Sequence, residues 1–125
     1  MFHSPLEAYE QVRKTTESNR ELEAAALFKA ARLLEECQRG WNGTGHPSRF
    51  DEALRYNQKL WSFFQAELGA AKNELPVDLR RDLLRLSAFI DRRTFELRST
   101  PTADGLTALI DINRHVAAGL STAPA

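Results

Sequence analysis

The residues of this chain that could do catalytic or metal chemistry are few and widely separated. Its three histidines, His3, His46 and His115, lie near the N-terminus, in a glycine-rich segment and on a helix face, without the spacing of a metal site. The single cysteine, Cys37, falls on an apolar helix face, which is typical of a core side chain rather than a nucleophile. We therefore expect no catalytic residue, no metal and no cofactor, and we predict that the protein is not an enzyme.

Recognition by apolar side chains is the chemistry that the sequence favours instead. In the segment NQKLWSFFQ (57–65), Trp61 and Phe64 share one helix face, which forms a normal core stripe. Tyr56 and Phe63 lie on nearly the opposite side of the same helix. At this point either packing in the core of the protein or contact with a partner could account for this pair.

The next helix repeats the pattern with two separated apolar stripes. The main stripe is expected in the core and includes Leu79, Ile90 and Leu97. A second stripe, roughly 140–180° away on the helical wheel, consists of Val77, Leu84, Ala88 and Phe95. Such a helix either lies in the middle of its own bundle or offers one stripe to a partner.

Two asparagines, Asn57 and Asn113, stand in the middle of apolar stripes. A buried amide without hydrogen-bond partners costs on the order of 1–3 kcal/mol. We expect each to bond to nearby backbone or to cap a helix end, and so to fix the register of the helices.

The elements that must position these residues are helices. The chain is rich in Ala, Leu, Glu and Arg and lacks alternating β-branched runs. Capping signals at Ser4, Ser18 and Ser48, and the proline Pro76, mark helix starts. The expected helices span 4–16 and 18–39 (or one helix continuing through a kink), 49–71, 76–98 and 104–119, with loops at 40–48 and 99–105. Leu22 is expected in the core stripe of the helix at 18–39.

These helices predict an all-α protein, a small bundle of four to five mostly antiparallel helices forming a single domain over 1–120, with a frayed tail at 121–125. Seventeen basic residues balance seventeen acidic ones, so direct RNA binding is disfavoured. A lone cysteine, the lack of a secretory signal and the lack of a long apolar stretch predict a cytoplasmic protein without membrane insertion.

An ordered series of short motifs resembles the FlaF family of flagellar biosynthesis regulators. The resemblance runs from about residue 50 to 120. The N-terminal half of the chain fits the family pattern more loosely. The resemblance rests on Asn57, Leu60 and Trp61, then Leu68, then Asn73, Leu75, Pro76, Leu79 and Arg80, then Leu109, Ile110, Asp111, Ile112, Asn113 and Arg114, and finally Gly119 and Leu120.

The resemblance implies a helical cytoplasmic protein that takes part in flagellin production and secretion, alongside a regulator of the FlbT type. Our leading hypothesis is a secretion chaperone that binds flagellin. Its expected protein-binding residues are Tyr56, Phe63, Val77, Leu84, Ala88 and Phe95. The alternative is a post-transcriptional regulator acting on flagellin mRNA or its translation. A homo-oligomer formed through a second stripe is a third possibility.

Overall fold

The protein is built from helices joined by short turns. A computed structural model describes residues 4–43, 46–70, 73 and 75–122. Within these residues the chain forms four α-helices and a short 3-10 helix, and no strand. The elements are α1 (Pro5–Arg39), α2 (His46–Gly69), α3 (Val77–Ser99), the 3-10 helix Asp104–Leu106 and α4 (Thr107–Thr122). The prediction of an all-α bundle of four to five helices is therefore confirmed.

Helix α1 is one continuous helix of 35 residues, about 52 Å long. The expected end near Thr16 is wrong, and the continuous alternative is correct. The capping pattern at residues 18–21 suggested a second start, but no Gly or Pro interrupts this stretch, so the helix runs through it. Helix α4 has only 16 residues, about 24 Å, and therefore covers only part of α1.

The helix ends show which capping signals are used. Ser4 caps α1 as predicted, because its Oγ accepts a hydrogen bond from the backbone N–H of Glu7 at 3.2 Å. The predicted cap at Ser48 is wrong, since α2 already begins at His46. The His46 ring contacts the rings of Trp41 and Phe50. These contacts stabilise His46 as the first residue of α2.

The later helix boundaries lie close to the expected ones. Pro76 is the N-cap residue of α3, with an extended backbone that starts the helix at Val77. Helix α4 continues to Thr122, past the expected end near Gly119. The expected tail at 121–125 thus begins inside α4, and residues 123–125 lie outside the described residues.

The helices pack in an antiparallel order: α1 packs against both α4 and α2, and α3 packs against α2. The end of α1 is fixed to the start of α4, because Gln38 Nε2 donates to the Ala103 carbonyl and to Thr107 Oγ1, both at 2.9 Å. The end of α3 meets the start of α2 through Arg98 and Asp51, 3.3 Å apart. Since α1 is fixed at its C-terminal end, its first turns extend beyond the shorter helices.

The core combines all the elements. Its largest fully buried apolar side chains are Leu27, Leu34, Leu54, Trp61, Ile90, Leu97, Leu106 and Leu109. Cys37 is buried among them, as predicted. Leu22 and Leu79 are exposed, so their expected core positions are wrong. Helix α1 buries Ala24 and Leu27 in place of Leu22, and α3 packs inward from Leu83 onward rather than at its first turn.

The length and apolar character of the helices can be compared with the prediction that the protein does not insert into a membrane. Among the described residues, no helix combines the length and the apolar character that crossing a bilayer requires.

The turn between α3 and α4 depends on a glycine. A Cβ at Gly105 would lie 2.6 Å from Leu97 Cδ2 and 2.7 Å from Thr102 Oγ1. Thr102 Oγ1 accepts a hydrogen bond from the Gly105 N–H at 3.0 Å, and Leu97 is buried. Neither side chain can move away without losing a contact that holds the turn.

We expect Gly105→Ala to lower the free energy of unfolding by about 1–3 kcal/mol, because the added methyl overpacks the site. Chemical denaturation monitored by circular dichroism measures this change. Gly119→Ala is the matched control, since a Cβ there meets no atom within 4 Å. Equal stability of the two variants would contradict the role given to Gly105.

Candidate functional site

A chain of hydrogen bonds between buried side chains connects α2 to α4. The indole Nε1 of Trp61 donates to Asn113 Oδ1 at 2.8 Å, and Asn113 Nδ2 donates to Asn57 Oδ1 at 2.7 Å. Both asparagines are 0% exposed. The prediction of two buried, register-setting amides is right about their burial but wrong about their partners, which are side chains of the facing helix rather than nearby backbone.

This hydrogen-bond chain fixes the orientation of Trp61. The indole can reach Asn113 in one orientation only, and its ring then meets Phe64 edge to face, with centroids 5.5 Å apart. The ring thereby forms part of the floor of a pocket at the end of the bundle.

The loop after α2 forms the next wall of this pocket. Asn73 Nδ2 donates to the Glu67 carbonyl at 2.9 Å, which satisfies a carbonyl at the end of α2. Asn73 Oδ1 accepts from the Leu75 N–H at 3.0 Å, as in an Asx turn. This one side chain holds the loop so that Leu75 lies over the pocket.

The pocket has a volume of about 110 Å³. An apolar cavity of roughly 150 Å³ holds a benzene-sized guest, so this one suits a single aliphatic side chain. Its apolar lining consists of Trp61, Phe64, Leu68, Leu75, Leu83, Val116 and Leu120, and its polar lining of Glu23, Glu67 and Asn73. Five of these ten residues carry the family resemblance: Trp61, Leu68, Asn73, Leu75 and Leu120. The structure thus collects motifs that are far apart in sequence around one cavity.

A surface groove between α1 and α2 adjoins the pocket. Its volume is about 320 Å³, and Glu23, Phe64 and Glu67 belong to both linings. Two large apolar side chains stand exposed in the groove, Leu22 at 66% and Phe63 at 54%. The remaining lining residues are Asn19, Ala26 and Leu60. Pocket and groove therefore form one continuous surface, apolar except for Asn19, Asn73 and the two glutamates, which we call the end site.

Two carboxylates give the end site its charge. Burial raises the pKa of Glu23, and the neighbouring charge of Glu67 raises it further, whereas Arg20 lowers it. A cationic group placed between the two carboxylates would relieve their repulsion. The end site can therefore accept an apolar side chain and a positive charge side by side.

The structure separates the other expected protein-binding residues from the end site. Tyr56 is half-buried, and the Lys29 ammonium stands 4.9 Å from its ring centroid. On the opposite side of α2 from Phe63, Gln65 bonds to Asp91 of α3 at 2.8 Å. The second stripe of α3 is exposed and comprises Val77, Leu84, Ala88 and Phe95. It lies beside this contact, because Asp91 is on the same face of the helix as Ala88 and Phe95. Phe63 and this stripe do not share a surface.

The remaining motif residues have structural places. Leu60 is half-buried against the core. Asp111 is exposed, and Arg114 forms an ion pair with Glu35, which also pairs with Arg39 at 2.7 Å. Among the described residues, no group of three or more His, Cys, Asp or Glu side chains could hold a metal ion. Burial raises the pKa of the Cys37 thiol, which makes its thiolate less available.

Sequence reasoning missed Leu22 as an exposed residue and Glu23, Leu83 and Val116 as parts of a site. Their positions depend on how four elements meet, which periodicity along one helix does not reveal. One signal in the sequence could have indicated the pocket. The residues that carry the family resemblance could have been predicted to lie close together in the fold.

We expect Asn113→Ala to lower the free energy of unfolding by about 3 kcal/mol, because it leaves the Trp61 N–H and the Asn57 carbonyl buried without partners. Equilibrium denaturation measures the loss. Asp111→Ala, at an exposed position of the same helix, should change stability by less than about 0.5 kcal/mol. A loss of similar size in both variants would show that these hydrogen bonds do not contribute to the free energy of unfolding as expected.

The raised pKa of Glu23 predicts a pH dependence of stability. The folded protein holds this proton more tightly than the unfolded chain, so stability falls as pH rises from the ordinary value of 4.5 through the raised pKa. Glu23→Gln should remove this decline and raise stability at neutral pH. Denaturation curves between about pH 4 and pH 8 measure it, with the exposed Glu21→Gln as control. A decline that persists in Glu23→Gln would assign it to another group.

Comparison with known proteins identifies the family. The family model described as flagellar protein FlaF matches residues 5–120, which include all the residues of the end site. No curated protein and no solved structure matched the chain. Because the match covers nearly the whole sequence, the chain belongs to the FlaF family of flagellar proteins.

Proposed function

We propose that this protein binds flagellin in the cytoplasm and assists its production or secretion without catalysing a reaction. The observation that carries the proposal is the convergence of family motif residues on a pocket that opens into an exposed apolar groove. Residues that served the fold alone would not need to leave a cavity and two exposed apolar side chains beside it.

The shape of the end site favours an amphipathic helical segment as the ligand. Terminal segments of flagellin become amphipathic helices in the filament, and their apolar faces need to be shielded before export. An apolar side chain of such a segment enters the pocket against Trp61 and Leu75, and others lie on Leu22 and Phe63 in the groove. A few buried anchors of this kind dominate the affinity of a helix-in-groove complex.

The charge of the end site supports a protein ligand over a nucleic acid. Glu23 and Glu67 line both the pocket and the groove, and a phosphate backbone would be repelled by them. A Lys or Arg on the polar edge of the bound segment instead offsets the repulsion between the two carboxylates. The alternative role in regulating flagellin mRNA would then be indirect, with the bound or free state of this protein as the signal.

Gel filtration of the purified protein with flagellin monomer is the direct experiment, and the two should co-elute. A flagellin-transcript fragment should not shift in a gel assay at about 150 mM salt. Separate elution from flagellin together with a shifted transcript would overturn the proposal in favour of direct RNA binding.

We expect Phe63→Ala to weaken flagellin binding by about tenfold or more, since the variant removes an anchor from the groove. The melting temperature should stay nearly unchanged because the ring is 54% exposed. Isothermal titration calorimetry and thermal denaturation measure the two effects. The matched control is Phe28→Ala, which removes an exposed ring of α1 that lies outside the end site and should leave flagellin affinity intact.

Two outcomes would count against this assignment. A large drop in the melting temperature of Phe63→Ala would place the ring in the core. Unchanged affinity in Phe63→Ala with reduced affinity in Phe95→Ala would move the flagellin site from the groove to α3.

A further inference from the structure

The outer face of α3 carries a short heptad pattern. Its residues are spaced four, three, four, three and four positions apart, and all six are exposed: Val77, Arg81, Leu84, Ala88, Asp91 and Phe95. Helix α3 packs on α2 through the face that holds Ile90, Thr94 and Leu97. Asp91 lies at the edge of the heptad face nearest α2 and accepts a hydrogen bond from Gln65 at 2.8 Å, while the other five residues are exposed beside it. Alternating spacings of three and four are the pattern by which two helices pair side by side.

The order of residue types on this face is a palindrome. Read from either end, it runs apolar, charged, apolar, apolar, charged, apolar, and its two charges are opposite in sign. In an antiparallel pair of α3 helices centred on residue 86, Val77 faces Phe95 of the second copy, and Leu84 faces Ala88. Arg81 then faces Asp91 of the second copy, twice in the pair. Within one chain Arg81 pairs with Asp78 at 3.1 Å and Asp91 accepts a bond from Gln65 at 2.8 Å. The contacts between copies therefore add to or replace these exposed pairs, which are worth little on their own.

A parallel pair has no such match. It would place Arg81 against Arg81 and Asp91 against Asp91, and like charges at facing positions disfavour association. The flanking positions agree with the antiparallel order, because Asp78 comes close to Arg92 of the second copy. Arg85 meets its own copy near the two-fold axis, but its side chain is exposed and long enough to turn to solvent.

We propose that the protein forms a symmetric homodimer through antiparallel pairing of the α3 heptad faces. Beside Phe95, a surface groove of about 360 Å³ lined by Thr102 and Gly105 receives Val77 of the second copy. The interface is small, because it consists of one helix from each copy. Association should therefore be weak, as for transient contacts below the standard interface size. The proposal does not rest on flagellin binding.

Sedimentation equilibrium of the purified full chain tests the dimer. The weight-average mass should rise with concentration from the 14.1 kDa of one chain toward twice that value. Leu84→Glu should weaken self-association by about tenfold or more, because it puts a charge in the apolar centre of the face. Leu22→Glu makes the same change at an exposed leucine of the end site, and it should leave the dimer intact and weaken flagellin binding instead.

Charge exchange tests the register. Arg81→Asp alone should shift the protein to monomer, and Arg81→Asp combined with Asp91→Arg should restore the dimer. Circular dichroism and melting temperature confirm that each variant is folded.

Cross-linking tests the orientation. When Val77→Cys protein is mixed with Phe95→Cys protein under mild oxidation, the two should form a disulfide-linked pair. Val77→Cys protein alone should not, because the antiparallel order separates the two copies of residue 77 by about 27 Å. The native Cys37 is buried and does not compete.

A monomer at all concentrations would overturn the proposal, as would a dimer that Leu84→Glu leaves unchanged. Disulfide formation by Val77→Cys protein alone would overturn the antiparallel order. Loss of flagellin binding in Leu84→Glu, from a wild-type chain that is monomeric, would show that this face serves flagellin and not a second copy.

Discussion

The arrangement of the bundle depends on the buried hydrogen bonds that link Trp61, Asn113 and Asn57. In an apolar interior such bonds are strong, and their loss leaves polar atoms that water cannot reach. The link has a cost of its own, since Asn57 Nδ2 has no partner within the described part of the chain. Apolar side chains of similar size could fill the space without this cost. What the amides supply instead is register, because α4 can slide along α2 only by breaking both bonds.

Register matters here because α4 contributes to the end site at a distance from these bonds. Val116 and Leu120 lie one and two turns beyond Asn113 on α4, and both line the pocket. A shift of α4 by one turn would move these side chains by about 5 Å and close or deform the cavity. The same indole that anchors the link also forms the pocket floor. The same two hydrogen bonds therefore contribute both to the stability of the core and to the shape of the end site.

The sequence predicted the helices well because each has a strong periodic pattern and recognisable ends. Ser4 and Pro76 worked as signals since the local chain alone decides those starts. Ser48 failed because aromatic packing between Trp41, His46 and Phe50 extended α2 beyond the local signal. The end site could not be derived, since its residues come from α1, α2, α3, α4 and a loop. A single-helix projection correctly separated Phe63 from the core, but it could not reveal that Leu22 of another helix stands beside it.

The end site and the heptad face lie on different sides of α2 and have no residue in common. A chain paired through α3 consequently keeps its end site open, and the pair presents two of them. Under the proposed function, a flagellin molecule with two suitable segments that bound one site would meet the other site at a high effective concentration. Avidity of this kind would let two weak, readily reversible contacts hold a ligand that must later be released for export.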